Sequence, residues 1–309
     1  MALVVADVTN PAYGEVLRGA QEAAADAGYT IQLTDSQESD RLERDSLERV
    51  LPGVDGLLLA SSRMSDAAIR VIAGQKPTVL LNRASADIPC RVVDSAGGIR
   101  QAVEHLLALG HDRITYVAGP EGSWADGVRW RALRGAATEL GIRLRRTGPF
   151  PPTVGGGVDA AAILAPRPPA AVIAYNDQLA VGLMRGLTDL GLRVPQDVSI
   201  VGFDNTYLAD LVTPGLTTVA APLRQAGLSA ARHLIAMVAG TQPPARHRIL
   251  LPTRLVVRAS TARYERRRPP APRRGAGGAG VTPPGPGRAV RLGLVAIEGA
   301  EERRRGAAV

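Results

Sequence analysis

The sequence is poor in the residues on which several kinds of site depend. It contains 1 cysteine, Cys90, in 309 residues, which excludes an internal disulfide and a cysteine-rich zinc site and fits a reducing compartment. No stretch approaches the roughly 20 consecutive apolar residues of a membrane-spanning helix. Met1 is followed directly by Ala2–Asp7, without the basic and apolar regions of an export signal. We therefore expect a cytoplasmic protein with no membrane partner.

Signatures of catalysis are also missing. The chain has no G-x-S-x-G turn, no phosphate-binding P-loop, no G-x-G-x-x-G after its first predicted strand and no H-E-x-x-H pair. Its 4 histidines lie on or beside predicted helices or near a late strand, away from the predicted cleft. These observations favour a protein that is not an enzyme and that uses neither a metal nor a cofactor.

The positive charge is concentrated at one end of the chain. Of the formal net charge of +8, residues 263–309 contribute +7, from 11 arginines against 4 glutamates. Residues 1–262 keep only +1, so the globular part has no bulk basic excess to attract nucleic acid. From Arg266 the composition is mainly proline, glycine and arginine. We predict a disordered tail at 263–309.

The clearest structural pattern runs from Ala171 to Asn205. A short apolar run, Ala171–Ala174, ends at the helix-capping pair Asn176-Asp177, and apolar residues at helical spacing follow. A second apolar run then covers Ser199–Phe203. The pattern predicts a strand, a helix and a second strand parallel to the first, joined by a right-handed crossover.

The same alternation of strand and helix begins at the first residues and recurs along the chain. Because a single core rarely grows beyond about 250 residues, we predict an α/β fold with two Rossmann-like lobes, each built on a parallel sheet. The predicted lobes are 1–94 with 220–248, and 95–219 with 249–262. After Gly141 the pattern weakens, and Gly155-Gly156-Gly157 is typical of an irregular loop, with a phosphate cradle as the alternative.

Polar residues follow the predicted strands, where ligands bind in open parallel sheets. The groups are Asp7, Thr9, Asn10 and Tyr13; Ser61 and Ser62; Asn82 and Arg83; Gly119–Ser123; Asn176 and Asp177; Asp204 and Asn205. Any one of them is as typical of a helix cap or a turn. Their recurrence at the same end of successive strands predicts a binding site for a small polar or polyhydroxylated ligand between the lobes.

Arg129 lies one turn into a predicted helix that begins near the cleft. Its guanidinium group can make a bidentate contact with a ligand carboxylate or with vicinal ligand oxygens. A surface ion pair with Asp126 is the alternative.

Five segments, taken in order, resemble the effector-binding core of LacI/GalR-family transcription regulators. They are ADVTNPAYGEVLRGAQEAAADAGY at 6–29, VDGLLL at 54–59, AVEHLLALGHDRITYVAGP at 102–120, AYNDQLAVGLMRGLTDLGLRVPQDVSIVGFDN at 174–205 and TPGLTTVAAPLRQAG at 213–227. The resemblance covers residues 2 to about 262. It implies the periplasmic-binding-protein type I fold, with two Rossmann-like lobes, three crossovers and homodimers.

The resemblance also implies which residues contact the ligand. These are Asn10, Tyr13, Asn82, Arg129, Asn176 and Asp204. Tyr13 stands where the family usually has phenylalanine, and Asn82 where it often has aspartate, which leaves the identity of the ligand open. The implied function is a ligand-sensing module in which a small, sugar-like effector shifts the lobes between two arrangements and so modulates DNA binding.

The start of the chain differs from the pattern of the family. Members open with a helix-turn-helix headpiece and a hinge helix, whereas the first predicted strand here starts within two residues of Met1. A misassigned start, a truncated chain and a stand-alone sensor are the alternatives, and we expect this chain to bind an effector but not operator DNA. The alternative function is a periplasmic sugar-binding protein of a transport system, against which the VPQDVSIVGFDN segment and the missing export signal argue.

Overall fold

The computed structural model describes residues 1–241 and 248–264. The chain starts with β1 (Ala2–Val5), α1 (Pro11–Asp26), β2 (Gln32–Asp35), α2 (Asp40–Val50), a 3-10 turn (Leu51–Gly53), β3 (Leu57–Ala60), α3 (Asp66–Ala73), β4 (Thr78–Leu81) and β5 (Cys90–Val93). It continues through α4 (Ser95–Ala108), β6 (Arg113–Val117), α5 (Trp124–Leu140), β7 (Arg143–Thr147), α6 (Val154–Leu164), β8 (Ala171–Ala174), α7 (Asp177–Asp189), β9 (Ser199–Asp204), α8 (Leu208–Leu211) and β10 (Thr217–Ala220). The last elements are α9 (Leu223–Val238), β11 (Arg248–Leu251) and β12 (Arg254–Val256).

These elements form two lobes, each built on a six-stranded sheet. The first sheet has the order β11-β5-β4-β3-β1-β2, and all neighbouring strands in it are parallel. The second has the order β12-β10-β9-β8-β6-β7 and is parallel except for β12, which runs antiparallel to β10. The chain passes between the lobes after β5, after β10 and after β11. The predicted two-lobed α/β fold is confirmed.

One lobe boundary differs from the prediction. The sequence assigned 249–262 to the second lobe, but Arg248–Leu251 pairs in parallel with Cys90–Val93 at the edge of the first sheet. The prediction is therefore wrong for 249–251, whereas β12 at 254–256 pairs with β10 in the second sheet. The reason is that α9 packs on the first sheet, and the chain adds β11 to that sheet before it crosses to the second lobe at Pro252-Thr253. Except for its first two residues, the predicted tail at 263–309 lies outside the described residues.

Helices cover both faces of each sheet, so central strands such as β1, β3 and β8 are buried along their whole length. In the first lobe, alternate side chains of β1 point to opposite faces, as strand geometry requires. Leu3 and Val5 pack with α1 and α9, while Val4 packs with α2 and α3. In the second lobe, Tyr116 and Phe203 are fully buried in the core.

The region after Gly141 is more regular than predicted. It contains β7 and then α6, and the irregular loop is limited to residues 148–153 between them. The prediction is wrong for Gly155-Gly156-Gly157, which lies in the first turn of α6 and not in a loop. A Cβ atom on Gly157 would collide with the backbone of α7 near Leu179, and one on Gly182 would collide with the backbone of α6. The glycines therefore serve the close packing of two helices.

Within the described residues, no helix is both long enough and apolar enough to span a bilayer.

Candidate functional site

All six residues implied by the resemblance line one enclosed cavity between the lobes. The first lobe contributes Asn10, Tyr13 and Asn82, and the second contributes Arg129, Asn176 and Asp204. The cavity volume is about 40 Å³, far below the roughly 300–1,000 Å³ of ordinary ligand sites. A sugar-sized ligand therefore requires the two lobes to move apart.

Two tight turns build the wall contributed by the first lobe. Ser61 follows β3 and Asn82 follows β4, with φ angles of 57° and 54°, a left-handed conformation that asparagine tolerates better than most residues. The Asn82 side-chain amide donates to the Ser61 hydroxyl at 3.1 Å. Asn82 Oδ1 is buried and has no hydrogen-bond partner among the described residues. It is thus a free acceptor on the cavity wall.

The start of α1 supplies Asn10 and Tyr13. Asn10 caps the helix, and its Oδ1 accepts a hydrogen bond from the Ala12 amide at 3.0 Å. Tyr13 follows within the first turn of the helix, and burial raises the pKa of its hydroxyl above the ordinary value. The hydroxyl is therefore neutral at physiological pH and can donate to a ligand oxygen as well as accept from it.

Arg129 is a buried cation of the site. Its guanidinium donates to the Tyr175 carbonyl and lies over the Phe203 ring, with Cζ 3.6 Å from the ring centroid. Nη2 lies 3.7 Å from Asp204 Oδ1, and Nε is buried without a partner among the described residues. The alternative pairing with Asp126 is wrong, because Asp126 bonds to Tyr116 and to Arg146.

Burial also shifts the pKa of the Asp204 carboxyl. It raises the pKa of Asp204 to about 6, and the nearby Arg129 partly opposes that shift. The backbone of Asp204 has a φ of 111°, a region that L-residues rarely adopt. The cavity thus holds a carboxyl that binds or releases a proton near neutral pH.

Two of the predicted strand-end residues support the site from behind and do not line the cavity. Asp177 accepts from the Thr206 amide at 2.7 Å and from the Thr218 hydroxyl at 2.5 Å, and burial together with Asp204 raises its pKa to about 7. Asn205 accepts from Arg258. Their side chains fix the turn after β9 that carries Asp204.

Asn176 has a structural task in addition to lining the cavity. Its Oδ1 accepts from the Leu179 amide at 2.9 Å, which caps α7, and its amide nitrogen donates to the Pro152 carbonyl at 3.0 Å. One further N–H of this amide is available to a ligand. In the first turn of the same helix, Gln178 donates to the Thr9 carbonyl of the first lobe at 3.3 Å, so a hydrogen bond joins the lobes at this point.

A second, larger cavity of about 840 Å³ opens between the strand ends of both sheets. Its walls include Asp7 and Thr9 after β1, Asp35 at the end of β2, and the segment 149–153. Asp7 and Thr9, which were predicted from their place after the first strand, therefore lie at this outer cavity rather than at the enclosed one.

Arg91 and Tyr175 also line the enclosed cavity, and sequence reasoning missed both. For Tyr175 the available signal was its position directly before Asn176, a predicted site residue. For Arg91 the available signal was a charged residue within the otherwise apolar strand Cys90–Val93.

The structure has two lobes, each built on a mainly parallel sheet, and polar side chains from both lobes line one cavity between them. This arrangement defines a two-lobed ligand-binding protein of the periplasmic-binding-protein type. The family model described as "Periplasmic binding protein-like domain" matches residues 103–261. The chain is also 33% identical to the HTH-type transcriptional regulator DegA of Bacillus subtilis, over 85% of this chain and 80% of that protein. The chain belongs to this family, in the branch of LacI-type transcriptional regulators.

Solved structures agree with this assignment. A LacI family transcriptional regulator from Enterococcus faecium with bound ribose matches with a TM-score of 0.75 and 29% identity, over 86% of this chain and 100% of that one. A dimeric Lac repressor with a C-terminal deletion matches with a TM-score of 0.76 and 25% identity, over 85% of this chain and 99% of that one.

Proposed function

We propose that this chain is the effector-sensing module of a LacI-type transcriptional regulator and that it binds a small, sugar-like ligand between its lobes. The observation that carries the proposal is the convergence of six polar side chains from both lobes on one cavity. Asn82 Oδ1 and Arg129 Nε, which both belong to lining residues, are buried and unpaired within the described part of the chain. An unpaired buried polar atom costs about 1–3 kcal/mol, so a ligand hydroxyl that bonds to either atom removes that cost.

The proposed mechanism is a shift between open and closed lobes. A ligand that contacts Asn82 on one lobe and Arg129 on the other stabilises the closed arrangement, because only there are both contacts made. The hydrogen bond from Gln178 to the Thr9 carbonyl, at 3.3 Å, forms across the same cleft and contributes to closure. Binding is coupled to DNA affinity to the extent that the two lobe arrangements differ in it.

We further propose that the chain works as a homodimer, as the name of the matched dimeric Lac repressor suggests. In a regulator that carries a DNA-binding headpiece, two copies related by a two-fold axis would match a DNA site with two half-sites. Size-exclusion chromatography with light scattering tests this part, and a monomeric mass at micromolar concentration would contradict it.

Titration calorimetry with a panel of neutral sugars, sugar phosphates, sugar acids and nucleosides tests the sensing function. The matched variants are Tyr13→Phe, which removes one hydroxyl from the cavity, and Tyr207→Phe, which removes one from a side chain that is 65% exposed. We expect saturable binding that Tyr13→Phe weakens about tenfold, as one lost hydrogen bond predicts, and that Tyr207→Phe leaves unchanged. Equal effects of the two substitutions, or no binding by any compound, would contradict the proposal.

Small-angle X-ray scattering gives a second measure of the same mechanism. Because the ligand sets the distance between the lobes, the radius of gyration should change when a binding sugar is added. Ligand binding without any change in scattering would show that the site works without lobe closure.

A further inference from the structure

Arg91 is a buried cation with no carboxylate beside it among the described residues. It lies in the middle of β5, is 3% exposed and lines the enclosed cavity. Its Nε donates to the Ser229 hydroxyl at 3.2 Å, its Nη2 to the Ser229 carbonyl at 3.3 Å and its Nη1 to the Cys90 carbonyl at 3.4 Å. In the described part of the chain, no carboxylate oxygen lies within 4.0 Å of its guanidinium nitrogens.

The other buried arginine side chains differ in this respect. Arg63 pairs with Glu38, Arg83 pairs with Asp66, and Arg129 lies 3.7 Å from Asp204. Each of these guanidinium groups thus has its charge balanced by a neighbouring acid. Within residues 1–241 and 248–264, Arg91 differs from these three arginines because its hydrogen bonds go only to neutral acceptors.

A buried charge without a counter-charge is costly, because the loss of hydration is not repaid by a partner. Burial lowers the pKa of Arg91, which is the expected response of a desolvated cation. A guanidinium has five N–H donors, and the three hydrogen bonds of Arg91 leave one donor on each terminal nitrogen. The cavity wall therefore offers a positive charge with two free donors.

From this arrangement we infer that the effector carries an anionic group, a phosphate or a carboxylate, and that Arg91 binds it. The inference rests on the proposed sensing function and names the chemical class of its ligand. The planar fork of a guanidinium matches both anions and forms charge-assisted hydrogen bonds with them. The other cation of the cavity, Arg129, already has Asp204 beside it, so Arg91 supplies the charge that an anion would balance.

If Arg91 has only a structural role, the expected effects of substitution are different. If the side chain only ties β5 to α9 through Ser229, then Ser229→Ala should reproduce the effect of losing Arg91. If Arg91 binds an anion, then Ser229→Ala should leave the preference for charged ligands in place. Ser229 does not line the enclosed cavity, which makes it a suitable control.

The test is titration calorimetry on the full chain with matched neutral and anionic sugars. The pairs are ribose with ribose 5-phosphate, glucose with glucose 6-phosphate, and glucose with glucuronate, so that phosphate and carboxylate are compared separately. We expect the wild type to bind one anionic member at least about tenfold more tightly than its neutral parent, as charged hydrogen bonds predict. Arg91→Gln should bring the ratio close to one, while Arg91→Lys should keep part of it and Ser229→Ala most of it.

Inorganic phosphate provides a probe that needs no sugar. It should raise the melting temperature of the wild type and of Ser229→Ala, and it should have no such effect on Arg91→Gln. If Arg91→Gln does not fold, the ratios measured with the wild type, Arg91→Lys and Ser229→Ala decide the question.

The possible failures are distinguishable. Neutral sugars that bind as tightly as their anionic partners would overturn the role of Arg91 and leave the sensing function standing. A preference for anions that Ser229→Ala abolishes as fully as Arg91→Gln would also overturn it, in favour of the tether. No saturable binding of any sugar, charged or neutral, would overturn both proposals.

Discussion

Arg129 and Asp204 face each other beside the enclosed cavity, with Nη2 3.7 Å from Oδ1. Their side chains are 3% and 12% exposed, so their attraction is little screened by water. The separation is longer than a hydrogen bond, and each group therefore keeps hydrogen-bonding capacity for a ligand oxygen. The pair combines charge balance with an open place for a ligand.

Replacing Arg129 should impair both binding and stability. We expect Arg129→Met to weaken ligand binding at least about 100-fold and to lower the free energy of unfolding by roughly 3 kcal/mol, because it leaves the buried Asp204 without its partner. Arg131→Met, in the same helix but at an exposed position, is the control and should change neither quantity. Calorimetry and urea unfolding measure the two effects, and similar results for both variants would contradict the assignment.

The buried carboxyls should make stability depend on pH. Burial raises the pKa of Asp177 to about 7 and that of Asp204 to about 6, above the roughly 3.9 of an unfolded aspartate. Between about pH 4 and pH 7 the folded state therefore binds more protons than the unfolded state. The contribution of these groups to stability is largest below this window and is lost as the pH rises through it.

The measurement is the slope of unfolding free energy against pH for the wild type and for Asp177→Asn. The variant should have a flatter slope, by up to about 1.4 kcal/mol per pH unit between about pH 5 and pH 6. The difference between the two slopes is the useful quantity, because burial also lowers the pKa of His105 and His111. These histidines add stability as the pH rises, and they do so equally in both proteins. Identical slopes would show that Asp177 does not titrate in this range.

Two substitutions of Asn82 should separate the effect of losing a ligand contact from the effect of backbone strain. At a φ of 54°, alanine costs about 1–2 kcal/mol while glycine is free of that penalty. Both Asn82→Ala and Asn82→Gly remove the free acceptor, so both should weaken binding, but only Asn82→Ala should clearly lower the melting temperature. Unchanged binding in Asn82→Gly would exclude this side chain from the ligand site.

Two neighbouring glycines of α6 offer a matched test of helix packing. A Cβ on Gly157 would collide with the backbone of α7, whereas one on Gly155 would meet only the Thr153 hydroxyl at 3.7 Å. Gly157→Ala should lower the free energy of unfolding by about 1–3 kcal/mol. Gly155→Ala should be neutral or stabilising by up to about 1 kcal/mol, since alanine is the better helix former. Equal effects would refute the packing role.

Sequence reasoning gave the strands and the site more reliably than the region after Gly141. Ala171–Ala174 is a strand as predicted, and the six implied residues lie together at one cavity. The arginines of 143–146 and the prolines of 149–152 hid β7, and three consecutive glycines suggested a loop where α6 begins. Glycine is a poor helix former in isolation, and only the presence of α7 at close range favours it there.

The sequence by itself determined the class of fold, because apolar runs of strand and helix length alternate along the chain and polar residues follow the strands. Tertiary structure alone decided which polar residues share a cavity and which stand behind it, as Asp177 does. It also showed that the buried Arg91 guanidinium donates its hydrogen bonds to neutral acceptors, the Ser229 hydroxyl and the carbonyls of Cys90 and Ser229. Charge balance depends on distances between residues that are far apart in the chain, and the sequence pattern does not contain those distances.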